Sequence, residues 1–373
     1  VQNVACYHGG AFFSAIGERF DTLERSRHVI AADVLDAWFP PAPKVIEALS
    51  EYLPWLLRTS PPTHCEGLIE AIAEARGVAP ENILAGGGSS DLIFRAFLQW
   101  LNPASRVLIL DPTYGEYAHV LEKVIDCEVQ RFPLARCNNY DVDLIRFEAA
   151  LQREFDLVVL VNPNSPTGRY IDRQGLEQVL RGAPSETRIW IDETYVEYAG
   201  PEQSLEQFAV RTPNILVCKS MSKVYALSGA RVAYLCAAAR QLESLRRVTP
   251  PWVVSLPAQV AAVKALDDPD YYAARYNETA ISRRRLVEEL SIFGWDAIPG
   301  IANFALCHLP PGSTRASTLI DRCRERGLFL RDAGAMSARL GDRAIRIAVK
   351  DSVTNQRMLD ILAAIAGPVT ANA

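Results

Sequence analysis

Five short runs of apolar residues constrain this chain more than any other feature. They span 107–110, 157–161, 189–191, 215–218 and 232–235, and almost no polar residue interrupts them. A strand with one wet face alternates apolar and polar residues, whereas a strand that is apolar on both faces must be covered on both. The stretches between the runs carry helical spacing, so strand and helix alternate as in an α/β domain with a mainly parallel sheet. Such sheets bind ligands beyond the carboxyl ends of their strands, so chemistry is sought in the loops after the five runs. A helix is expected over 68–76, closed by Gly77, and another over 91–101, with Ser89 or Ser90 as its cap and Pro103 beyond its end. After Pro250-Pro251 the pattern turns to one or two long helices over 257–293. Strand-like runs at 304–308 and 344–349 follow, with helices near 316–326 and 354–366, a smaller α+β region.

Composition narrows the function. A length of 373 residues suggests about two domains. The net charge of -5 leaves no positive surplus to neutralise a nucleic-acid backbone. No apolar run approaches the roughly 20 residues of a membrane span, and no charged-then-apolar leader opens the sequence. The eight cysteines include no C-x-x-C pair and read as free thiols, so a reducing, cytoplasmic setting is expected and no metal is. Arg283-Arg284-Arg285 reads as a solvated helix face, and His8 and His64 read as polar surface residues. No G-x-G-x-x-G follows the first strand, which argues against a dinucleotide-dependent oxidoreductase.

The strand ends carry the candidates. Gly86-Gly87-Gly88-Ser89-Ser90 precedes a helix, where backbone N–H groups and the positive dipole end can hold a phosphate; a plain glycine turn with a serine cap fits the same residues. Tyr114 lies just past the first run, placed to lie against a planar ligand or simply to pack. Asn162-Pro163-Asn164-Ser165-Pro166-Thr167-Gly168 is a stiff polar loop. Asp192 ends an apolar strand, a costly place for a charge without a cationic partner, and Tyr195 follows it. Lys223 is one of only six lysines. It sits among Ser220, Ser222 and Ser228, where partial burial would lower its pKa enough for imine chemistry. Arg231, eight residues on, is placed to meet a phosphate with Ser220. A phosphate cradle, a stacking ring, a buried carboxylate, a phenol, a lysine and an arginine at one sheet edge are what pyridoxal phosphate needs.

With these residues in place, the sequence resembles the fold-type-I aminotransferases that bind pyridoxal 5'-phosphate. It is most similar to the branch of histidinol-phosphate aminotransferase and threonine-phosphate decarboxylase, over roughly 65–350. The most specific pieces are Asn164-Ser165-Pro166-Thr167-Gly168, Asp192-Glu193-Thr194-Tyr195 and Ser220-Met221-Ser222-Lys223 with Arg231. The resemblance implies that Lys223 is the Schiff-base lysine, acting through an internal aldimine and a quinonoid. Asp192 would then pair with the pyridine nitrogen, Tyr195 bond the 3'-oxygen and Tyr114 stack on the ring. Gly88, Ser89, Ser90, Ser220, Ser222 and Arg231 would form the phosphate set. Arg346, in Ala344-Ile345-Arg346-Ile347-Ala348, matches the arginine that grips the substrate α-carboxylate, and Arg331 matches a second substrate arginine. Ala302-Asn303-Phe304 and the opening Tyr7-His8-Gly9-Gly10 also resemble the family. The implied architecture is a large domain with a mainly parallel sheet, 61–255, and a smaller α+β domain with linking helices, 256–373. A segment 1–60 is expected to contribute to the small domain and to a homodimer.

There are departures. Ser165 stands where the family usually has Asn, so Ser165 or Asn164 is left to bond the 3'-oxygen. Thr59-Ser60-Pro61-Pro62-Thr63-His64 replaces the usual Tyr-Pro that crosses the dimer, and Asp36-Ala37-Trp38-Phe39-Pro40-Pro41 replaces the usual Asn-Pro-Leu-Gly. These changes lie where substrates are selected and point to a specialised amino-acid enzyme. The expected reaction is transamination of an amino acid. Decarboxylation, elimination, replacement or cyclisation on the same fold is the second reading, and a non-enzymatic effector module, lacking any helix-turn-helix extension, the third.

Overall fold

The structure is a computed structural model and describes residues 9–366; Cys6, Tyr7 and His8 lie outside the described residues. A seven-stranded sheet dominates. Its order is Ile83–Gly86, Ala233–Ala237, Ile215–Ser220, Arg188–Asp192, Leu157–Val161, Arg106–Asp111, Glu128–Pro133. The last five strands run parallel to one another, and Ala233–Ala237 is antiparallel to both of its neighbours. All five sequence runs are strands here. Their lack of alternation has a plain cause, because both faces are buried. Leu108, Leu160, Ile191 and Val217 enter one core, and Ile109, Val159, Trp190 and Leu216 enter another on the opposite face.

Two strands of this sheet were not expected. Ile83–Gly86 is four residues long and ends in glycine. Glu128–Pro133 is an edge strand with mostly half-exposed or exposed residues, so it carries polar side chains that mask its pattern. The helices are Glu66–Arg76, ended by Gly77 at φ 63° as the αL stop requires, and Ser89–Trp100. The second differs from expectation at its start. Gly88 is the N-cap and no side chain caps it, which leaves the Ser89 and Ser90 hydroxyls for other partners.

A second core lies under a four-stranded antiparallel sheet ordered Arg331–Asp332, Ala344–Ala348, Phe304–His308, Asp296–Ile298. Helices Ala316–Arg324 and Ser352–Ala366 cover it. Ile30–Ala31 pairs in parallel with Leu328–Phe329. The 24-residue helix Pro269–Ile292 ties the two bodies together, with Tyr272 in the large core and Leu286 and Leu290 in the small one. At ~1.5 Å per residue it spans about 36 Å. The basic triplet on this helix is only partly a solvated face. Arg284 and Arg285 are exposed, but Arg283 donates to the carbonyls of Ile301 and Ala302 and so fixes the turn before Phe304. Burial lowers its pKa to about 10.

Side chains that alternate across a strand separate two polar systems. Asp192 and Glu193 are consecutive and point to opposite sides. Glu193 joins Glu197, Glu206, Arg76 and Lys219 in a buried cluster. Lys219 Nζ lies 2.7 Å from Glu197 Oε1, and Arg76 Nη2 lies 3.3 Å from the same oxygen. Tyr225 and Tyr234 accept from Arg76 at 2.8 and 2.9 Å. Ser204 Oγ and Leu205 N hold Glu193 at 2.6 and 2.7 Å. Three carboxylates face two cations, one negative charge too many for so deeply buried a site. Burial, with Glu206 adding to it against Lys219, pushes the Glu193 carboxyl up to about 7.

The folded chain therefore keeps a proton on Glu193 over a range where an unfolded glutamic acid has lost it. The stability this proton contributes is complete below about pH 4.5 and is lost as pH rises through about 7. Glu193→Gln should remove that loss. Thermal melts of both proteins between about pH 5 and about pH 8 should show the unmodified chain falling more steeply, and parallel curves would contradict the assignment.

Candidate active site

The carboxyl ends of the parallel strands meet at one cavity. Asp192 pairs in register with Val161 on one side and Cys218 on the other. The cavity is lined by Ser89, Ser90, Tyr114, Val161, Ser165, Asp192, Thr194, Tyr195, Ser220, Ser222, Lys223 and Arg231. Of the cofactor residues expected from sequence, only Gly88 and Asn164 do not line it. Gly88 lies behind, at φ 101°, and a Cβ there would come within 2.3 Å of Arg231 Nη2. Glycine at 88 is what lets the guanidinium approach the helix start. Asn164 is buried, and its amide is committed to Thr113, Thr167 and the carbonyl of Pro112. Between the two alternatives left open by sequence, Ser165 is the one that faces the cavity.

Asp192 is the electrostatic anchor. It is buried, and its carboxylate accepts from Tyr117 Oη at 2.7 Å, Thr194 Oγ1 at 2.6 Å and Thr194 N at 3.0 Å. Trp190 Nε1 in turn donates to Tyr117 Oη at 2.9 Å. Hydrogen bonds to a charged group are worth about 1.5–3 kcal/mol each, against an effective cost of several kcal/mol for burying the ion. The donors offset most of the cost, but burial still holds the carboxyl above its ordinary range. Among the described residues no cation pairs with it. A ligand with a protonated ring nitrogen would supply the missing charge, so the residues present fit the pyridine end of pyridoxal phosphate.

The opposite end fits an anion. The N-terminus of the 12-residue helix Ser89–Trp100 meets the hydroxyls of Ser89, Ser90, Ser220 and Ser222 and the Arg231 guanidinium. Arg231 is itself left-handed at φ 59°, and its Nη1 donates to Ser222 Oγ at 3.3 Å and Ser228 O at 3.1 Å. Helix N–H groups, hydroxyls and a guanidinium together make a phosphate site. Tyr114 borders the cavity and donates to Glu116 Oε2 at 2.7 Å. Tyr195 is buried edge-on to Phe304, ring centres 5.4 Å apart, and burial raises its phenol pKa.

Lys223 enters between the two ends. Its Nζ lies 2.7 Å from Asp36 Oδ1 and 3.4 Å from Ser228 Oγ. Burial pulls its pKa below the usual amine range, Arg346 and Arg231 add to that, and Asp36 opposes it.

Arg346 and Arg331 are cross-strand partners, both buried, and line a neighbouring cavity of about 220 Å³ with Tyr114, Glu116 and Arg131. Arg346 donates to Ser165 Oγ and to the carbonyl of Asp33, each at 3.1 Å, while its Nε has no hydrogen-bond partner among the described residues. Burial, with Arg331 beside it, lowers the Arg346 pKa to about 10. An open N–H on a planar guanidinium suits a substrate carboxylate.

Sequence reasoning missed Asp36, Thr194 and Tyr117. Thr194 was findable, since a Thr two residues after a strand-end Asp is placed to turn back on it. Asp36 and Tyr117 come from distant parts of the chain and carry no local signal. His64 is exposed and not at the cavity. The seven described cysteines are free thiols.

Comparison with known proteins follows the same line. The family profile described as aminotransferase class I and II matches residues 34–365. Histidinol-phosphate aminotransferase 2 of Carboxydothermus hydrogenoformans is 31% identical over 79% of this chain and 80% of its own length. Histidinol-phosphate aminotransferase 2 of Gluconobacter oxydans is 30% identical over 88% and 89%. The histidinol-phosphate aminotransferase of Sinorhizobium meliloti, solved in complex with pyridoxal-5'-phosphate, superposes with a TM-score of 0.81 at 22% identity, covering 97% of this chain and 99% of that one. L-threonine-O-3-phosphate decarboxylase of Porphyromonas gingivalis gives 0.75 at 22%, covering 88% and 97%. The structural likenesses show the fold, and the profile and the sequence relatives show the family: this chain belongs to the class I and II aminotransferases and has their fold-type-I α/β architecture.

Proposed function

We propose that this aminotransferase uses pyridoxal 5'-phosphate, held in the cavity between Asp192 and Arg231, to move an amino group between an amino acid and a keto acid. The observation that carries the reading is the Asp192 carboxylate, buried with no cation paired to it among the described residues, at one end of a cavity whose other end carries a helix N-terminus, four hydroxyls and Arg231. Pyridoxal phosphate supplies an aldehyde that condenses with amines and a protonated ring that withdraws electrons from the substrate α-carbon. Asp192 keeps the proton on the ring nitrogen. Ser89, Ser90, Ser220, Ser222 and Arg231 hold the phosphate, with Gly88 allowing the approach. Tyr114 flanks the ring, and Tyr195 with Ser165 serves the 3'-oxygen side. Lys223 would hold the aldehyde carbon, and its amine, once free, would take and return a proton at the substrate α-carbon. Its lowered pKa favours the neutral amine that this step needs. Arg346, with Arg331 beside it, grips the α-carboxylate. The division into a cofactor-binding domain, 61–255, and a smaller domain, 256–373, follows from this reading.

We also take the enzyme to be a cytoplasmic homodimer. Ile46, Leu53 and Leu57 share one side of helix Pro43–Arg58 at helical spacing, and all three are exposed. An apolar stripe of this kind marks an interaction surface. The free thiols support a reducing compartment, and no helix among the described residues is long and apolar enough to cross a membrane.

Incubating the loaded protein with a panel of amino acids should yield keto acid and aminated cofactor; release of carbon dioxide or ammonia instead would favour the lyase chemistry. Lys223→Ala should bind the cofactor without a covalent link and lose roughly 10²–10⁴-fold or more in turnover. Borohydride should leave a stable pyridoxyl mark on the Lys223 peptide of the unmodified chain only, and its failure to do so would overturn the reading. Sedimentation equilibrium should give two chains per particle, with Leu53→Asp shifting it toward one; a fully active single chain would contradict the dimer.

A further inference from the structure

The cofactor reading assigns partners to both ends of the cavity and to the substrate carboxylate, and leaves one charged group beside the lysine unused. Asp36 lies on the segment between the strand Ile30–Ala31 and helix Pro43–Arg58. This segment is held on several sides. Leu35 O accepts from Asn303 Nδ2 at 2.8 Å, Asp33 O from Arg346 Nη2 at 3.1 Å, and Trp38 Nε1 donates to Thr279 Oγ1 at 2.8 Å. The Asp36 carboxylate therefore arrives at Lys223 on a fixed backbone, 2.7 Å from Nζ, with Ser228 Oγ at 3.4 Å from the same nitrogen. Its side chain keeps 42% of its surface open, so it exchanges protons with solvent.

We propose that Asp36 is a positioning residue for Lys223: it holds the ε-ammonium at the cavity, and it takes up the proton that the amine sheds on attacking an aldehyde. The reaction balances. The ammonium passes one proton to Asp36, and the freed electron pair forms the bond to the aldehyde carbon. A second proton leaves the nitrogen. The aldehyde oxygen departs as water with these two protons, the first by way of Asp36. The C=N nitrogen retains the third proton and the positive charge, still beside the carboxylate.

The surrounding charges agree with this role. Lys223 faces the Asp36 carboxylate, with Arg346 and Arg231 opposing its charge. Asp36 faces Lys223, Ser228 and Lys350, and these hold its carboxyl below the usual range although burial works against them. Tyr195 lies within reach of the same carboxylate. Lys350, displaced downward by burial and also by Lys223, is a second cation acting on Asp36 and favours its return to the carboxylate once the proton has passed on. Removing Asp36 leaves the amine with burial and two guanidinium groups, all of which disfavour its charged form.

The test reads Lys223 directly. In cofactor-free protein, acetylation of the Lys223 peptide by acetic anhydride is followed against pH for the unmodified chain, Asp36→Asn and Lys350→Met. The midpoint for Asp36→Asn should fall by about 1 pH unit or more, while Lys350→Met, which removes a like charge, should not lower it. In cofactor-loaded protein, the pH titration of the visible absorption, which reports protonation of the linked nitrogen, should move down in Asp36→Asn as well. Midpoints that do not move in either measurement would overturn the proposal, as would an equal fall in Lys350→Met. Asp36→Ser serves as a second variant should the amide not fold. The absorption measurement rests on the functional reading above, but the labelling does not. A missing borohydride mark would sink that reading and leave the role of Asp36 to be decided by the labelling.

Discussion

A carboxylate buried in a wall of aromatic rings, with no cation paired to it among the described residues, is the constraint around which this site is arranged. Asp192 cannot relax toward water, because it ends a central strand locked in register between Leu157–Val161 and Ile215–Ser220. Tyr117 and Thr194 donate to it and keep it ionisable without neutralising it. Trp190, fully buried beneath, orients Tyr117 through its indole N–H. The fold thus holds a negative potential at one point of the cavity and a positive one at the other. A ligand that carries a cation at one end and a phosphate at the other satisfies both.

The sheet also keeps this open electrostatic system apart from a closed one. The two-residue period of the strands sends Asp192 toward the cavity and Glu193 through to the opposite core, and does the same for Ser220 and Lys219. On the closed side, Arg76 and Lys219 meet Glu193, Glu197 and Glu206, with Tyr225 and Tyr234 accepting from Arg76. That cluster comes close to neutrality by itself once Glu193 holds a proton. Asp192 has no such neighbour. Two adjacent acidic residues at one strand end therefore have different jobs, and the difference is set by which face each side chain meets.

Much of this was legible in the sequence because the site is built at strand ends, and strand ends are local features. The unalternating runs reported double burial, the residues following them lined the cavity, and Lys223 and Arg231 followed from the loop after Ile215–Ser220. What stayed hidden depended on contacts between distant segments. Tyr117 reaches Asp192 across 75 residues and Asp36 reaches Lys223 across 187. The strand Glu128–Pro133 escaped because an edge needs no continuous apolar pattern. Arg283 escaped because a charged triplet reads as surface until the carbonyls it meets are known. The serine cap was misplaced for a related reason: a helix start that holds a ligand leaves its hydroxyls uncommitted, and Gly88 takes the cap position instead.

The departure at Ser165 has a physical consequence for how the two bodies are joined. Arg346 sits on the small sheet, yet its Nη1 donates to Ser165 on the large one and its Nη2 to the carbonyl of Asp33 on the segment that carries Asp36. A short hydroxyl at 165 leaves room for that guanidinium to approach the cofactor loop. One side chain then links the strand-end loop, the segment that positions Lys223 and the strand of the small sheet that carries the substrate arginines. Phe304 lies under the same guanidinium at 5.7 Å and also packs edge-on against Tyr195, so the ring that supports the phenol supports the arginine. A carboxylate held at Arg346, as proposed above, would act through these contacts on the Ser165 loop and on the backbone that carries Asp36.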